Sequence, residues 1–258
     1  MSKVVGGILY NRVVFEHAKC STGQLSREVR MKLTGVGLYT YPEAALLTRI
    51  PLRELRRWLD GYSYRDPRKE LPVEVPPLWA TEFDQQMDGI GFHDLLEVRF
   101  VRAFRQHGVS MQTIRVASQR ARELFATDYP FTSRQFRTDG RTIFASAMEE
   151  TGETELLDLV RKQYAFRRII EPSLYSGIEF GADQVAARWY PTPRSKAVVL
   201  DPAIAFGKPV VTDGAVRTSI LHDAFIAEGD RHMVARLYEV PVASVDAAIA
   251  FEESLIAA

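Results

Sequence analysis

Tyr41-Pro42-Glu43-Ala44-Ala45-Leu46-Leu47-Thr48-Arg49-Ile50-Pro51-Leu52-Arg53-Glu54-Leu55-Arg56-Arg57-Trp58 reads as two short helices joined by a tight turn. Proline fixes φ and biases the residue before it away from the α region, so Ile50-Pro51 stops the first helix. With residues about 100° apart, the second helix gathers Leu52, Leu55, Trp58 and Leu59 on one side. Arg53 and Arg57 fall together on the other side, with Arg56 on the flank, so the arginines point outward. In the first helix Ala45, Leu46 and Leu47 are expected to supply the packing, Ala45 being small where the helices cross. Two helices at this spacing cross and present the second one outward, the shape of a nucleic-acid reader. The competing reading is an ordinary solvated basic face.

The neighbouring residues weigh against that plainer reading. Past Gly61, Tyr62-Ser63-Tyr64-Arg65-Asp66-Pro67-Arg68-Lys69 cannot continue a helix and suits a wing beside a duplex, with Arg and Lys meeting phosphate while the helix reads base edges. From Arg49 to Lys69 there are seven basic residues against Glu54, Asp60 and Asp66. From Glu70 to Glu97 the sign reverses, with seven acids and no Lys or Arg, and from Arg99 to Arg141 nine arginines face three acids. A formal net charge of zero therefore conceals a segregated distribution, which an electrostatic footprint requires.

A second helix pair, Arg231-His232-Met233-Val234-Ala235-Arg236-Leu237-Tyr238-Glu239-Val240-Pro241-Val242, carries the opposite sign. Asp223, Glu228, Asp230, Glu239, Asp246, Glu252 and Glu253 stand against only Arg231 and Arg236, and an acidic pair is repelled by phosphate. It reads as a protein-docking module, or as a helical cap in which Val234, Leu237, Tyr238, Val245, Ala248 and Ile249 do nothing but pack.

A chain of 258 residues with 46% hydrophobic and 26% charged content is globular and holds about two domains. No window approaches the roughly 18 uninterrupted apolar residues of a spanning helix, and Met1 to Phe15 lacks a secretory pattern. With one cysteine, Cys20, no internal disulfide forms, which points to the cytoplasm and away from membranes. Residues 1–37 read as an extension of unassigned role, part of it either flexible or upstream of a start at Met31.

Further along, Phe92 to His107 is a strong helix with Leu95, Leu96, Phe100, Val101 and Phe104 as its apolar stripe, ended by Gly108. Ser110 caps Met111 to Phe125, whose Ile114, Ala117, Ala121 and Leu124 face the same core. Gln135 to Phe144 is expected to be a hairpin around Asp139-Gly140, whose arginines would form a second wing or merely cover the core. Glu153 to Tyr164 reads as a helix, and Phe166 to Ile170, Gly177 to Phe180, Val185 to Tyr190 and Val198 to Leu200 as strands of a small antiparallel sheet that a twin subunit could extend. Pro191 to Ser195 is the best linker candidate.

Catalytic and cofactor signals are weak. Gly207-Lys208 is followed by proline and lacks the earlier glycine of a phosphate loop. His17, His93, His107, His222 and His232 are scattered without metal-ligand spacing, and Asp201, Asp213, Asp223 and Asp230 sit where aspartate caps and turns. No enzyme activity, cofactor or metal is expected.

Leu38 to about Phe125 resembles the MerR-type winged helix-turn-helix, through Tyr39 to Thr48, Leu55-Arg56-Arg57-Trp58 and Leu95 to Arg115. It departs in its longer acidic segment after the wing and in having no long terminal coiled coil. The end of the chain resembles a VapB-like antitoxin family, through Asp201-Pro202, Phe206-Gly207-Lys208-Pro209-Val210-Val211, Arg217-Thr218-Ser219-Ile220-Leu221, Gly229, Val234-Ala235, Tyr238, Val240, and Val245 with Ala248-Ile249-Ala250-Phe251. That family's usual glycine-threonine-arginine loop is replaced here by Asp213-Gly214-Ala215-Val216-Arg217.

Together the resemblances imply an antitoxin that represses its own operon and neutralises a PIN-like ribonuclease toxin, as a homodimer on double-stranded operator DNA. The fold expected is α+β, mainly helical: a winged helix-turn-helix over 38–150, an α/β connector with a short antiparallel sheet over 151–200, and a helix-turn-helix-like helical domain over 201–258. DNA contacts are expected from Arg49, Arg53, Arg56, Arg57, Tyr62, Tyr64, Arg65, Arg68 and Lys69, and partner contacts from Asp223, Asp230, Asp246, Glu252 and Glu253. Two alternatives stand beside this: a stand-alone transcription regulator whose C-terminal domain senses a ligand or dimerises, and an adaptor whose basic surfaces serve protein or RNA.

Overall fold

A computed structural model of the protein describes residues 35–69, 71–83, 88–152 and 175–257. Strand β1 (Tyr39–Thr40) leads directly into helix α1 (Tyr41–Thr48). The junction is a reciprocal cap: Thr40 Oγ1 accepts from the Glu43 amide at 3.3 Å, and the Glu43 carboxylate accepts from the Thr40 amide at 2.8 Å. Arg49, in the left-handed region at φ 55°, closes α1, and Pro51 opens α2 (Leu52–Leu59). As expected, Leu55, Trp58 and Leu59 are buried and Arg53, Arg56 and Arg57 are exposed. Two packing assignments differ, since Leu46 and Leu52 are exposed. Ala45 and Leu47 pack against the core as partly buried residues, beside the buried Tyr41, Ala44 and Thr48.

A Cβ on Gly61, at φ +76°, would lie 2.5 Å from the Val75 carbonyl oxygen, so glycine is required where the chain turns into the wing. The wing is the antiparallel hairpin of β2 (Tyr62–Tyr64) and β3 (Val73–Val75), with Tyr62 opposite Val75 and Tyr64 opposite Val73. After it, β4 (Gly89–Ile90) pairs with β1.

Helices α3 (Phe92–Gln106) and α4 (Met111–Phe125) form where periodicity predicts them, the second capped by Ser110 Oγ at 3.1 Å from the Thr113 amide. Leu95, Leu96, Phe100, Val101 and Phe104 are fully buried, as are Ile114, Ala117 and Ala121, whereas Leu124 is exposed.

The expected hairpin at Gln135 to Phe144 is instead part of α5 (Arg134–Thr151), so its arginines form no second wing. Ser133 caps this helix and Gly152 ends it, while Phe136, Ile143, Phe144, Ala147 and Met148 recur at helical spacing and are buried. Gly140 sits inside because its missing Cβ admits the Phe136 ring, to which a methyl would approach within 2.7 Å. Phe136 and Phe144 join Phe104 and Phe131 in an aromatic core with ring centroids 4.4 to 6.3 Å apart.

The helix expected at Glu153 to Tyr164 and the strand at Phe166 to Ile170 lie outside the described residues, as do residues 1–34. The remaining strands appear as two hairpins: β5 (Ile178–Phe180) with β6 (Ala186–Trp189), and β7 (Val198–Val199) with β8 (Val210–Val211). Trp189 and Leu200 exchange backbone hydrogen bonds of 3.0 and 2.8 Å between them. Helices α6 (Thr218–Glu228), α7 (Arg231–Leu237) and α8 (Val242–Ile256) then close on a separate core of Val211, Leu221, Val234, Ala235, Val240, Val245, Ala248 and Ile249. The fold is α+β and mainly helical.

This second core is tied to the first helix pair. Leu38 donates its amide to the Phe206 carbonyl at 2.9 Å, and Tyr39 its hydroxyl to the Gly207 carbonyl at 2.6 Å. Lys208 Nζ meets both oxygens of the capping Glu43, at 2.6 and 2.5 Å. Burial works against the Glu43 carboxylate, but Lys208 and Thr40 outweigh it and hold its pKa below the usual value.

Candidate nucleic-acid interface

Leu55, Trp58 and Leu59 fix the azimuth of α2 by their burial, and that alone turns Arg53 and Arg57 to the outside. The Arg57 guanidinium lies 4.0 Å from the centroid of the Tyr62 ring, the first residue of the wing, so helix and hairpin form one surface. Tyr62 and Tyr64 share a face of β2, their ring centroids 6.2 Å apart. At the hairpin tip, Asp66 accepts the Arg68 amide on its side chain and the Lys69 amide on its carbonyl, both at 3.0 Å, and Arg65, Arg68 and Lys69 are exposed around that turn. Among the described residues, Arg53, Arg57, Arg65, Arg68 and Lys69 form no ion pair.

Two of the predicted residues are engaged differently. Arg56 pairs with Asp88 at 3.0 Å, lies 3.8 Å from Asp60 and sits 4.5 Å from the Tyr41 ring centroid. Arg49, at the end of α1, turns to the last turn of α8, its Nη2 3.5 Å from the Ser254 carbonyl oxygen. A cation there complements the negative end of that helix. The acidic residues predicted for a partner divide as well. Asp223 and Glu253 are exposed, Asp230 caps α7, Asp246 pairs with Arg231 at 3.3 Å, and Glu252 bonds the Thr218 hydroxyl.

Periodicity gave no sign of what holds the wing in place. The strap after β3 is pinned at both ends of its turn: the Leu78 amide donates to the Trp58 carbonyl at 2.8 Å, and Arg115 donates to the Pro77 and Pro76 carbonyls at 2.8 and 2.9 Å. Arg102 donates to the last carbonyl of α1, on Thr48, at 2.8 Å. Trp79 Nε1 donates to the Asp94 carboxylate at 2.7 Å, which also accepts the Glu82 and Gly91 amides at 2.9 and 3.1 Å.

Several arginines of the basic stretch 99–141 are therefore staples to backbone carbonyls, half-buried at Arg102, Arg115 and Arg122 and exposed at Arg105. Arg105 and Arg122 also donate to carbonyls, and Arg99 packs 3.9 Å from the Trp189 ring centroid. Nothing local marks the roles of Arg102 and Arg115 in the sequence, since the accepting carbonyls of Thr48, Pro77 and Pro76 lie 38 to 54 residues away, although a planar guanidinium is suited to span two carbonyls.

Beneath the strap lies a buried polar layer. Burial and the Glu82 charge push Asp94 up to about 6 despite its three donors. Burial pushes Glu97 up to about 8, and it accepts the Thr132 amide at 2.8 Å. His93 bridges Glu82 at 2.7 Å and the Ala186 carbonyl at 3.1 Å. Among the described residues no cluster of His, Cys, Asp or Glu has the makings of a metal site, and no helix is long and apolar enough to cross a membrane.

A short helix pair, an outward arginine face and a two-stranded wing define a helix-turn-helix protein. Residues 37–118 match a family profile described as "Putative DNA-binding HTH domain". Over 194 residues the chain is 29% identical to "Putative antitoxin VapB45" of Mycobacterium tuberculosis, covering 71% of this chain and 80% of that protein. The crystal structure of Rv2018 from Mycobacterium tuberculosis superimposes with a TM-score of 0.63 at 24% identity, over 83% of this chain and 97% of that one. The likeness to that structure extends the shared fold well beyond the helix-turn-helix.

Proposed function

We propose that this chain is the antitoxin of a type II toxin–antitoxin pair, which binds double-stranded operator DNA, represses its own operon and neutralises a PIN-like ribonuclease. The observation that carries the reading is the outward Arg53 and Arg57 face of α2 continuing, through Arg57 over the Tyr62 ring, onto the wing. In this reading α2 enters the major groove. Tyr62, Tyr64, Arg65, Arg68 and Lys69 meet the adjoining phosphates, and Arg49 and Arg56 brace the helix pair. Phosphate contacts supply affinity and the helix supplies sequence preference.

The likeness to an antitoxin supports the second half of the reading. Residues 38–150 form the reader, 151–200 connect, and the acidic module 201–258 receives the ribonuclease, through a surface that includes Asp223, Asp230, Asp246, Glu252 and Glu253. The chain works in the cytoplasm as a homodimer, so two readers address a two-fold operator, and neither cofactor nor catalytic step enters.

Two assays test this. The full chain should retard a duplex taken from just upstream of its own coding sequence more strongly than an unrelated duplex. Co-expression with the product of the adjacent reading frame should yield a stable complex and relieve that product's toxicity. Equal retardation of both duplexes overturns the repressor role, and absence of a complex with a demonstrably toxic neighbour overturns the antitoxin role.

A further inference from the structure

Six of the eleven large apolar side chains left exposed among the described residues belong to the C-terminal module. Single exposed apolar residues are ordinary, but a concentration in one small unit marks a contact surface. Met233 and Leu237 stand one turn apart on α7 and are 45% and 62% exposed, although helical packing alone places Leu237 inside. The module does not need them, because Val234 and Ala235 already fill its core from the same helix. Ile226, 67% exposed, lies in the last turn of α6, shortly before the Gly229-Asp230 turn into α7. Asp223, Glu228 and Asp230 on the near side of this turn and Glu239 past the far end of α7 are exposed, and between Asp223 and Glu253 seven acids face two arginines.

The charge selects the occupant. A duplex is repelled by this rim, and a second copy would bring the same acidic surface against itself, which costs association free energy. A ribonuclease, which must attract RNA phosphate, is basic around its groove and fits. Resting on the reading above, we propose that the Ile226, Met233 and Leu237 face docks the ribonuclease, receiving an apolar ridge flanked by Lys and Arg. The apolar residues anchor the complex, and the acidic rim sets the partner and the rate of encounter.

The test compares the full chain with its Met233→Ser/Leu237→Ser double variant, each co-expressed with the product of the adjacent reading frame. Both substituted side chains are exposed, so the melting temperature and the retardation of upstream DNA should stay unchanged. The affinity for the neighbour should fall by about tenfold or more, and raising the salt should slow association of the native pair. If the native chain forms no complex, the antitoxin reading itself falls, and this inference with it. If the native chain binds and the double variant binds equally well, the antitoxin reading stands and this docking face is wrong. Loss of self-association in the variant, with the neighbour still bound, assigns the face to a second copy and likewise overturns the proposal.

Discussion

Leu55 is fully buried while Arg53, Arg56 and Arg57, within two residues of it, are exposed, so one short helix serves as both core anchor and outer surface. Leu55→Ala should therefore destabilise the chain by roughly 2–5 kcal/mol through the cavity it leaves, which a melting curve reads directly. An unchanged midpoint would mean that the face of α2 is assigned backwards. A different residue, Glu97, makes stability depend on pH. Burial raises its folded pKa to about 8 from an ordinary 4.5, burial and Glu82 raise Asp94 to about 6, and His93, despite burial, is raised by its bond to Glu82. In each case the folded chain holds more protons than the unfolded chain, so stability falls as pH rises between the ordinary and the raised values. The melting midpoint should decline from about pH 5 to about pH 8. Glu97→Gln keeps an acceptor for the Thr132 amide but removes this proton, so its decline should be shallower. An unchanged slope would show that Glu97 ionises normally in the fold.

At the scale of elements, α5 shows how a local signal is overridden. Asp139-Gly140 suggests a hairpin, yet Ser133, Phe136, Ile143, Phe144 and Ala147 carry a helical period that outweighs it, and the glycine is retained to seat the Phe136 ring. Glycine to alanine in a helix interior usually stabilises by about 1 kcal/mol. Gly140→Ala should instead lower the melting temperature, because the new methyl would lie 2.7 Å from Phe136. A rise in melting temperature would show that the ring can move aside. The helix pair, the wing, α3 and α4 were legible because each carries its own local mark: Ile50-Pro51, Gly61, Asp94 with Gly108, and Ser110. Leu46, Leu52, Leu124 and Leu237 were misplaced for a different reason. Periodicity identifies an apolar face but not whether another element covers it. The roles of Arg102 and Arg115 were illegible for the same reason, since their carbonyl partners lie 54, 38 and 39 residues away in sequence.

For the whole molecule, the reader and the acidic module have separate cores but share a seam. Truncation before Asp201 would remove the acceptors of the Leu38 amide and of the buried Tyr39 hydroxyl, together with the Lys208 partner of Glu43. A buried donor left unmade costs about 1–3 kcal/mol. The truncated chain should therefore melt earlier and bind DNA less tightly than the full chain. Identical melting of the shared core would show the seam to be passive. DNA binding by the α2 and wing surface is tested most directly by a salt series of mobility shifts on the upstream duplex, comparing the native chain with Arg53→Ala and Arg57→Ala. Each variant should fold normally and bind more weakly. Where the replaced guanidinium neutralises a phosphate, the slope of log affinity against log salt should become shallower by about one unit. Unchanged affinity and slope in both variants would contradict the account.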